Sequence, residues 1–268
     1  MSSILQGLRN SGKGLLVGGT IATFAAKASF SRLSHRKDDD KKRREALRLT
    51  ASHCKKFLEL LNVKVDYTPP PQSLGDKNYF MVCNHMSYVD ILVLSSCRPS
   101  VFVTSVEMEK TFFLGDLAKL GGSFFVNRIN RRKMRDEVEA LKGLVARGFD
   151  VFIFPEGTST NGVGGLLPFK KSLFRVPFQA EIPILPICLK YKTIDGEPFS
   201  AANCDRVTWH GDMSFAPHLH QMLSLKDVRA TVEYFDPIDS TQFADHGALA
   251  AAAHRVVETA YGDPSQWT

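Results

Sequence analysis

Cysteine is scarce in this sequence, and no two cysteines stand at metal-binding spacing. The 268 residues include five of them, namely Cys54, Cys83, Cys97, Cys188 and Cys204. An odd number without a C-x-x-C pair argues against a disulfide framework and against a zinc knuckle. It is typical of a protein in a reducing compartment.

The sequence also lacks an uncharged run long enough to cross a bilayer. The best candidate is residues 14–26, between Lys13 and Lys27, which has 13 residues and includes three Gly and two Thr. A spanning helix needs about 20 mainly apolar residues. A cleaved signal peptide would fit the basic residues before this run and the small residues Ala26 and Ala28, but the cysteines argue against export. We therefore expect the segment to lie in the membrane interface.

Three glycine-containing motifs are missing as well. Neither a G-x-G-x-x-G loop nor a Walker motif occurs, so the sequence carries no nucleotide-binding signature. No G-x-S-x-G nucleophile elbow occurs either, so no covalent serine mechanism is indicated.

The net excess of positive charge is confined to the N-terminal quarter of the chain. Residues 1–64 hold fourteen basic and five acidic side chains, a net charge of +9, whereas the whole chain carries +6 and the remainder therefore −3. Residues 44–61 also repeat apolar side chains at helical spacing, with lysines between them. We interpret residues 1–67 as a basic, amphipathic, helical membrane-docking segment. A nucleic-acid contact and a merely solvated helix face are the alternatives.

A proline tract at positions 69–71 marks the start of the main domain, residues 68–268. Short apolar runs there predict buried strands, and a spacing of three to four predicts a helix from Met134 to Val145 that stops at Gly148. The predicted strands are residues 79–83, 101–104, 123–126, 151–154, 184–189, 206–215 and 228–235. A helix over residues 242–261 closes the chain. This alternation predicts an α/β fold with a mixed, mainly parallel sheet covered by helices.

The first of these strands runs into the sequence N-H-M-S-Y-V-D, which places His85 and Asp90 five residues apart. Such a pair can form a general base with its orienting carboxylate. On a regular helix the two side chains would point about 140° apart, so they meet only if His85 lies in the turn and Asp90 in the first helical turn. His35 and Asp40 have the same spacing, but they lie in a charged tract with no strand before it. The context therefore selects His85, for which a helix-capping role is the alternative.

Three further motifs place polar residues near strand ends. Arg128 follows the strand F-F-V, where a guanidinium at the carboxyl edge of a sheet suits a phosphate. In E-G-T, Gly157 permits a tight turn, Thr158 can bind an oxygen, and Glu156 can neutralise Arg128 or hold a substrate hydroxyl. The sequence P-F-K-K adds Lys170 as a cation near the same pocket.

The ordered motifs resemble a known family. NHMSYVD, FFVNR, FPEGTST, PFKK and IPILPI, over residues 79–193, resemble the blocks of glycerolipid acyltransferases typified by 1-acylglycerol-3-phosphate (lysophosphatidic acid) acyltransferases. The stretch W-H-G-D-M at 209–213 resembles a tail found in bacterial members. A glycine often follows the two lysines, and Ser172 stands there in this chain, which leaves open which lysine faces the ligand.

The resemblance implies direct acyl transfer. His85, oriented by Asp90, would take a proton from the free hydroxyl of 1-acylglycerol 3-phosphate, which then attacks the thioester of acyl-CoA or acyl-carrier protein and gives phosphatidic acid. No metal or other cofactor is implied, since the thioester is a co-substrate. The acceptor-binding residues would be Arg128, Glu156, Gly157, Thr158 and Lys170.

The resemblance also implies partners and a location. A thioester donor is cytosolic, so we expect the protein at the cytoplasmic face of a membrane and without a nucleic-acid partner. Glycerol 3-phosphate, another lysophospholipid and a lyso-aminolipid remain alternative acceptors. A lipid hydrolase and a non-catalytic lipid- or nucleic-acid-binding module are alternatives of a different class, but a binding module would not explain four ordered pocket motifs.

Overall fold

The computed structural model of this chain describes residues 2–69, 74–75, 77–111, 113–127 and 130–267. Side chains are described from residue 12 onward, with the exception of residue 131.

A single sheet organises the described residues. Its strands are β1 Val63–Thr68, β2 Phe80–Cys83, β3 Val101–Ser105, β4 Phe124–Val126, β5 Val151–Ile153, β6 Ile184–Ile194, β7 Glu197–Pro198 and β8 Val228–Tyr234. Their order is β1-β8-β6-β2-β5-β3-β4, and β7 pairs with β6. The pairings of β6 with β7 and with β8 are antiparallel, and the others are parallel. The predicted mixed, mainly parallel sheet is confirmed.

Helices cover both faces of this sheet. They are α1 Ser2–Ser34, α2 Asp39–Leu60, α3 Tyr88–Cys97, α4 Val106–Glu109, α5 Leu114–Leu120, α6 Arg131–Ala146, α7 Arg175–Ala180, α8 Phe215–Ser224 and α9 His246–Tyr261. Side chains alternate between the faces along each strand, so Met81 and Phe152 belong to one apolar core and Phe80 and Ile153 to the other. The helix predicted around Met134 and the closing helix are confirmed as α6 and α9.

The N-terminal segment is helical, as expected, and packs onto the rest of the protein. The carboxylate of Asp38 caps α2 by accepting the backbone N–H of Lys41. Helix α1 packs on α2 and α8 through the buried residues Val17, Phe24 and Ala28. Within the described part of the chain, every helix falls short of the combined length and apolarity that a membrane-spanning segment requires.

Strand β1 ties this segment into the sheet. It pairs in parallel with β8, from Val63 opposite Val228 to Thr68 opposite Glu233. The predicted boundary between residues 67 and 68 therefore falls inside a strand of the main sheet. The sequence V-K-V-D-Y-T alternates apolar and polar residues because β1 is an edge strand that is buried on one side only.

The strand predicted for residues 206–215 is wrong. That region contains a 3₁₀ turn at Cys204–Arg206, an irregular stretch, and the first residue of α8 at Phe215. Alternating Val207 and Trp209 suggest a strand, but the backbone N–H of Trp209 donates to the carbonyl of Met86 at 2.9 Å rather than to a strand neighbour. The strand predicted at 228–235 is confirmed as β8.

Candidate active site

The turn after β2 is shaped by the cap of helix α3. Ser87 is the N-cap residue, and its hydroxyl accepts the backbone N–H of Val89 at 3.3 Å. The side chain of Asp90, in the first turn of the helix, reaches back to accept the N–H of Ser87 at 2.8 Å. This reciprocal capping box is why His85 lies in the turn while Asp90 lies in the helix.

His85 and Asp90 meet in the way their context predicted. Nδ1 of His85 lies 2.9 Å from Oδ2 of Asp90, with the His85 side chain 19% exposed and that of Asp90 fully buried. Because an ionised carboxylate only accepts hydrogen bonds, Nδ1 carries the proton and Nε2 is the basic nitrogen. The His85 ring stacks on Phe154 with ring centroids 3.9 Å apart, which fixes its plane.

Both oxygens of Asp90 are engaged. Oδ2 also accepts the backbone N–H of Met86 at 2.6 Å, in addition to that of Ser87. Oδ1 accepts the hydroxyl of Tyr191 on β6 at 2.6 Å. The carboxylate is therefore held in one orientation from the loop on one side and from the sheet on the other.

Asn84 is a second buried contact between the loop and β6. Its amide nitrogen donates to the carbonyl of Leu189 at 2.9 Å, and its amide oxygen accepts the N–H of Leu189 at 2.9 Å. The sequence motifs assign no role to Asn84 or Tyr191. The position of Asn84 between a buried strand and His85 is a sequence feature that could have indicated a role in the site. Tyr191 has no such feature and is indistinguishable in sequence from a core residue.

Glu156 holds two loops together. It is 1% exposed, and its carboxylate accepts the backbone N–H of His85 and that of Leu167, each at 2.8 Å. Burial raises the pKa of Glu156 to about 7, against the lowering effect of these two hydrogen bonds. Both oxygens are thus engaged by backbone groups of the protein, which differs from the two roles that the sequence suggested for this side chain.

The remaining predicted residues cluster at the turn that follows β5. Gly157 adopts φ +77°, and a Cβ atom there would lie 2.5 Å from Nζ of Lys170, so Lys170 extends over the turn. Thr158 is exposed, with its hydroxyl 3.4 Å from the carbonyl of Ser159. Lys171 instead lies beside Gly247 at the start of α9. Of the two lysines, Lys170 is therefore the one at this turn.

Two other sequence predictions concern Arg128 and the pair His35 and Asp40. Arg128 lies outside the described residues. The second pair at the same spacing, His35 and Asp40, belongs to the α1–α2 hairpin, where Asp40 lies 3.4 Å from Nε of Arg147. Spacing alone would have selected both histidines, but only His85 has the strand, turn and cap that bring the carboxylate to it.

The comparisons with known proteins point to one family. The family model described as "Acyltransferase" matches residues 61–190. A lyso-ornithine lipid O-acyltransferase of Rhodobacter capsulatus is 31% identical over 202 residues, which cover 74% of this chain and 69% of that protein. A 1-acyl-sn-glycerol-3-phosphate acyltransferase of Neisseria gonorrhoeae is 28% identical over 169 residues, which cover 63% of this chain and 64% of that protein, slightly under two thirds of its length.

A solved structure shares the fold. The crystal structure of the 1-acyl-sn-glycerophosphate acyltransferase PlsC from Thermotoga maritima matches with a TM-score of 0.70 and 19% identity, over 97% of this chain and 96% of that one. At this identity the likeness speaks for the architecture alone. The family assignment comes instead from the sequence matches. The chain belongs to the acyltransferase family.

Proposed function

We propose that this protein transfers a fatty acyl group from a thioester to the free hydroxyl of a lysolipid, with His85 as the general base. The observation that carries the proposal is the 2.9 Å contact between Nδ1 of His85 and the buried carboxylate of Asp90, in a member of the acyltransferase family. The contact leaves Nε2 of His85 to accept the hydroxyl proton.

The reaction proceeds in one acyl-transfer event. Nε2 of His85 takes the proton of the acceptor hydroxyl as the oxygen forms a bond to the thioester carbonyl carbon. The C–S bond then breaks, and the departing sulfur takes the proton from the imidazolium of His85. General-base catalysis of this kind contributes roughly 10²- to 10⁴-fold in rate. The step needs no cofactor besides the co-substrate, acyl-CoA or acyl-carrier protein.

The proposed acceptor is 1-acylglycerol 3-phosphate, which makes the product phosphatidic acid, a precursor for phospholipids. Arg128 and Lys170 would bind its phosphate, and the turn at Gly157 and Thr158 would shape the pocket, with Glu156 holding that turn against the His85 loop. A lyso-ornithine lipid is the second candidate, because the Rhodobacter capsulatus relative at 31% identity carries that name. An acceptor without a phosphate would depend much less on Arg128.

The acceptor is a membrane lipid, and helix α1 offers a surface for docking on the membrane. Leu15, Leu16, Phe30 and Leu33 are each between 59% and 79% exposed. Leu15 and Leu33 are 18 residues apart, which is five helical turns and places them on one face. Such a face, next to a helix rich in basic residues, suits an anionic bilayer surface. We place the protein there on the cytoplasmic side, where thioester donors are found.

The decisive test uses the full-length protein in mixed micelles, radiolabelled oleoyl-CoA or acyl-carrier protein, and a panel of lysolipids. We expect label to enter 1-acylglycerol 3-phosphate. His85→Ala should lower this rate by at least about 10²-fold, because it removes the base. His35→Ala is the matched control, since it removes the other histidine of this spacing, and it should keep wild-type activity.

The outcomes separate the candidates. Transfer to lyso-ornithine lipid in preference to the phosphate-containing acceptor would keep the chemistry and change the acceptor. An unaffected His85→Ala rate would refute the assignment of the base. Failure of the wild type with both donors across the panel would refute the enzymatic proposal in favour of a binding module.

A further inference from the structure

We propose that Tyr191 is a positioning residue for the transfer reaction, because its hydroxyl holds the Asp90 carboxylate in the state that sets the proton affinity of His85. This inference rests on the proposed function of His85. Tyr191 touches neither reacting group and acts through Asp90.

The geometry is that of a strong hydrogen bond. The hydroxyl of Tyr191 donates to Oδ1 of Asp90 at 2.6 Å, and both side chains are fully buried. A distance of 2.5–2.7 Å is typical of an O–H group that donates to an ionised carboxylate. In a buried setting such a bond is worth more than at the surface. Tyr191, Asp90 and His85 thus form a chain of two hydrogen bonds that runs from the sheet to Nε2.

The phenol is fixed in its donor role. Burial, with the negative charge of Asp90 beside it, raises the pKa of Tyr191 well above its ordinary value. Asn84, at the start of the His85 loop, is also held by the sheet. Its side chain forms hydrogen bonds with the backbone of Leu189, two residues before Tyr191. Strand β6 therefore fixes both the start of the His85 loop and the carboxylate behind it.

Several titratable groups lie next to the hydrogen-bonded series of Tyr191, Asp90 and His85. Cys83 and Tyr88 lie near Tyr191, and Tyr261 of α9 lies near Asp90. Burial raises the pKa of all three, so they stay neutral in the working range. Glu156 contacts the backbone N–H of His85 and has a pKa raised to about 7 by burial. Glu156 will titrate in both wild type and variant, so the difference between the two isolates the effect of Tyr191.

The direction of the expected pH shift follows from the number of hydrogen-bond donors to Asp90. Removal of the Tyr191 hydroxyl leaves Oδ1 without the donor that the structure gives it, so the carboxylate becomes more basic and binds the Nδ1 proton of His85 more tightly. The imidazolium is then retained to higher pH. We expect the acidic limb of the kcat/KM profile of Tyr191→Phe to shift upward by roughly half a pH unit to one unit. We expect kcat on the plateau to fall about three- to tenfold, because Asp90 loses a contact that fixes its orientation behind His85, with KM unchanged within about twofold.

The control is Tyr67→Phe. The hydroxyl of Tyr67 lies 3.1 Å from that of Ser96, at the far end of helix α3, and has no contact with Asp90. This variant removes the same atom from a tyrosine against the same helix, and its pH profile should superimpose on that of the wild type. If Tyr191→Phe gives that same superimposable profile, the inference is overturned.

A second readout does not depend on activity. In protein labelled with ¹⁵N-histidine, the His85 signals are identified by their loss in His85→Ala. The midpoint of their pH titration should move upward in Tyr191→Phe and stay in place in Tyr67→Phe. A shifted midpoint together with an active His85→Ala protein would support the action of Tyr191 on His85 through Asp90 but refute the role of His85 as base, and with it the role of Tyr191 in the reaction. An unshifted midpoint with an inactive His85→Ala protein would refute the action of Tyr191 alone, which keeps the two failures apart.

A substitution that keeps the shape of the site covers the case in which Tyr191→Phe does not fold. Replacement of Tyr191 by 3-fluorotyrosine strengthens the hydroxyl as a donor, so the acidic limb should move to lower pH. A movement to higher pH, or none, would contradict the proposed action of the hydroxyl on Asp90.

Discussion

Glu156 is a single buried carboxylate that joins the His85 loop to the segment containing Leu167. One carboxylate oxygen accepts the backbone N–H of His85, and the other accepts that of Leu167. A displacement of the segment around Leu167 is therefore transmitted to the backbone of His85. The group is buried at a cost, since its pKa is raised from 4.5 to about 7. The stability of the protein is therefore linked to the ionisation of Glu156.

The sign of this linkage gives a prediction. A raised pKa in the folded state means that the contribution of Glu156 to stability is fully present below pH 4.5 and is lost as the pH rises through 7. The free energy of unfolding of the wild type should fall relative to Glu156→Gln by roughly 2–3 kcal/mol between about pH 5 and pH 8. Urea unfolding at several pH values measures this difference.

The matched control is Glu139→Gln, because Glu139 is 66% exposed on α6. Its stability curve should run parallel to that of the wild type over the same pH range. A Glu156→Gln curve that also runs parallel would show that Glu156 does not titrate in this window.

Among the residues of the candidate site, the contacts that the sequence predicts are those between residues close together in the chain. His85 and Asp90 are joined by a capping box within one turn, so their contact follows from neighbouring residues. Tyr191 and Asn84 act across 101 and 105 positions of sequence, through a strand pairing that no local pattern specifies. The E-G-T motif predicts that Glu156 belongs to the site, but its backbone partners depend on how two loops meet.

At the scale of elements, α1 presents apolar side chains on the side that does not pack. We predict that the pair of substitutions Leu15→Glu and Phe30→Glu reduces binding to anionic vesicles at least about tenfold, because two charges would enter the apolar interface. The rate on vesicle-bound substrate should fall with it, and the rate in mixed micelles should be kept. Vesicle co-sedimentation and the two assays measure these quantities.

The control places the same charges on another exposed helix. Ala251 and Thr259 are exposed on α9, and glutamates at both positions should leave vesicle binding within about twofold of the wild type. An equal loss in both double variants would mean that net charge, and not the face of α1, controls binding.

Elements that lie wholly inside the fold were the easiest to predict. β2, β5 and the first six residues of β6 form continuous apolar runs because both of their faces are covered, and α6 shows one apolar stripe. β1 alternates because it lies at an edge, and the stretch after residue 206 alternates without being a strand at all. Alternation of apolar and polar residues indicates a segment that is buried on one side. In this protein the irregular stretch after residue 206 shows the same alternation as a strand.

At the scale of the whole molecule, the fold has no division at residue 68. Leu47, Leu58 and Leu61 of the N-terminal segment lie in the two cores, and β1 supplies an edge of the sheet. We predict that a fragment of residues 39–268 folds, since it keeps α2 and β1, whereas a fragment of residues 69–268 does not. Cooperative thermal unfolding by circular dichroism distinguishes the two, and a cooperative transition in the shorter fragment would contradict this view.

The pairing of β1 with β8 also orders events during synthesis. Val63 and its partner Val228 are 165 residues apart. At about 5–20 residues per second, roughly 10–30 s separate their appearance on the ribosome. Helix α1 is complete before that interval begins, whereas β8, the strand with which β1 pairs, is not synthesised until its end. The nascent chain thus contains α1, which we propose as the membrane-docking surface, well before the sheet is complete, so arrival at the membrane can precede, rather than follow, the completion of the fold.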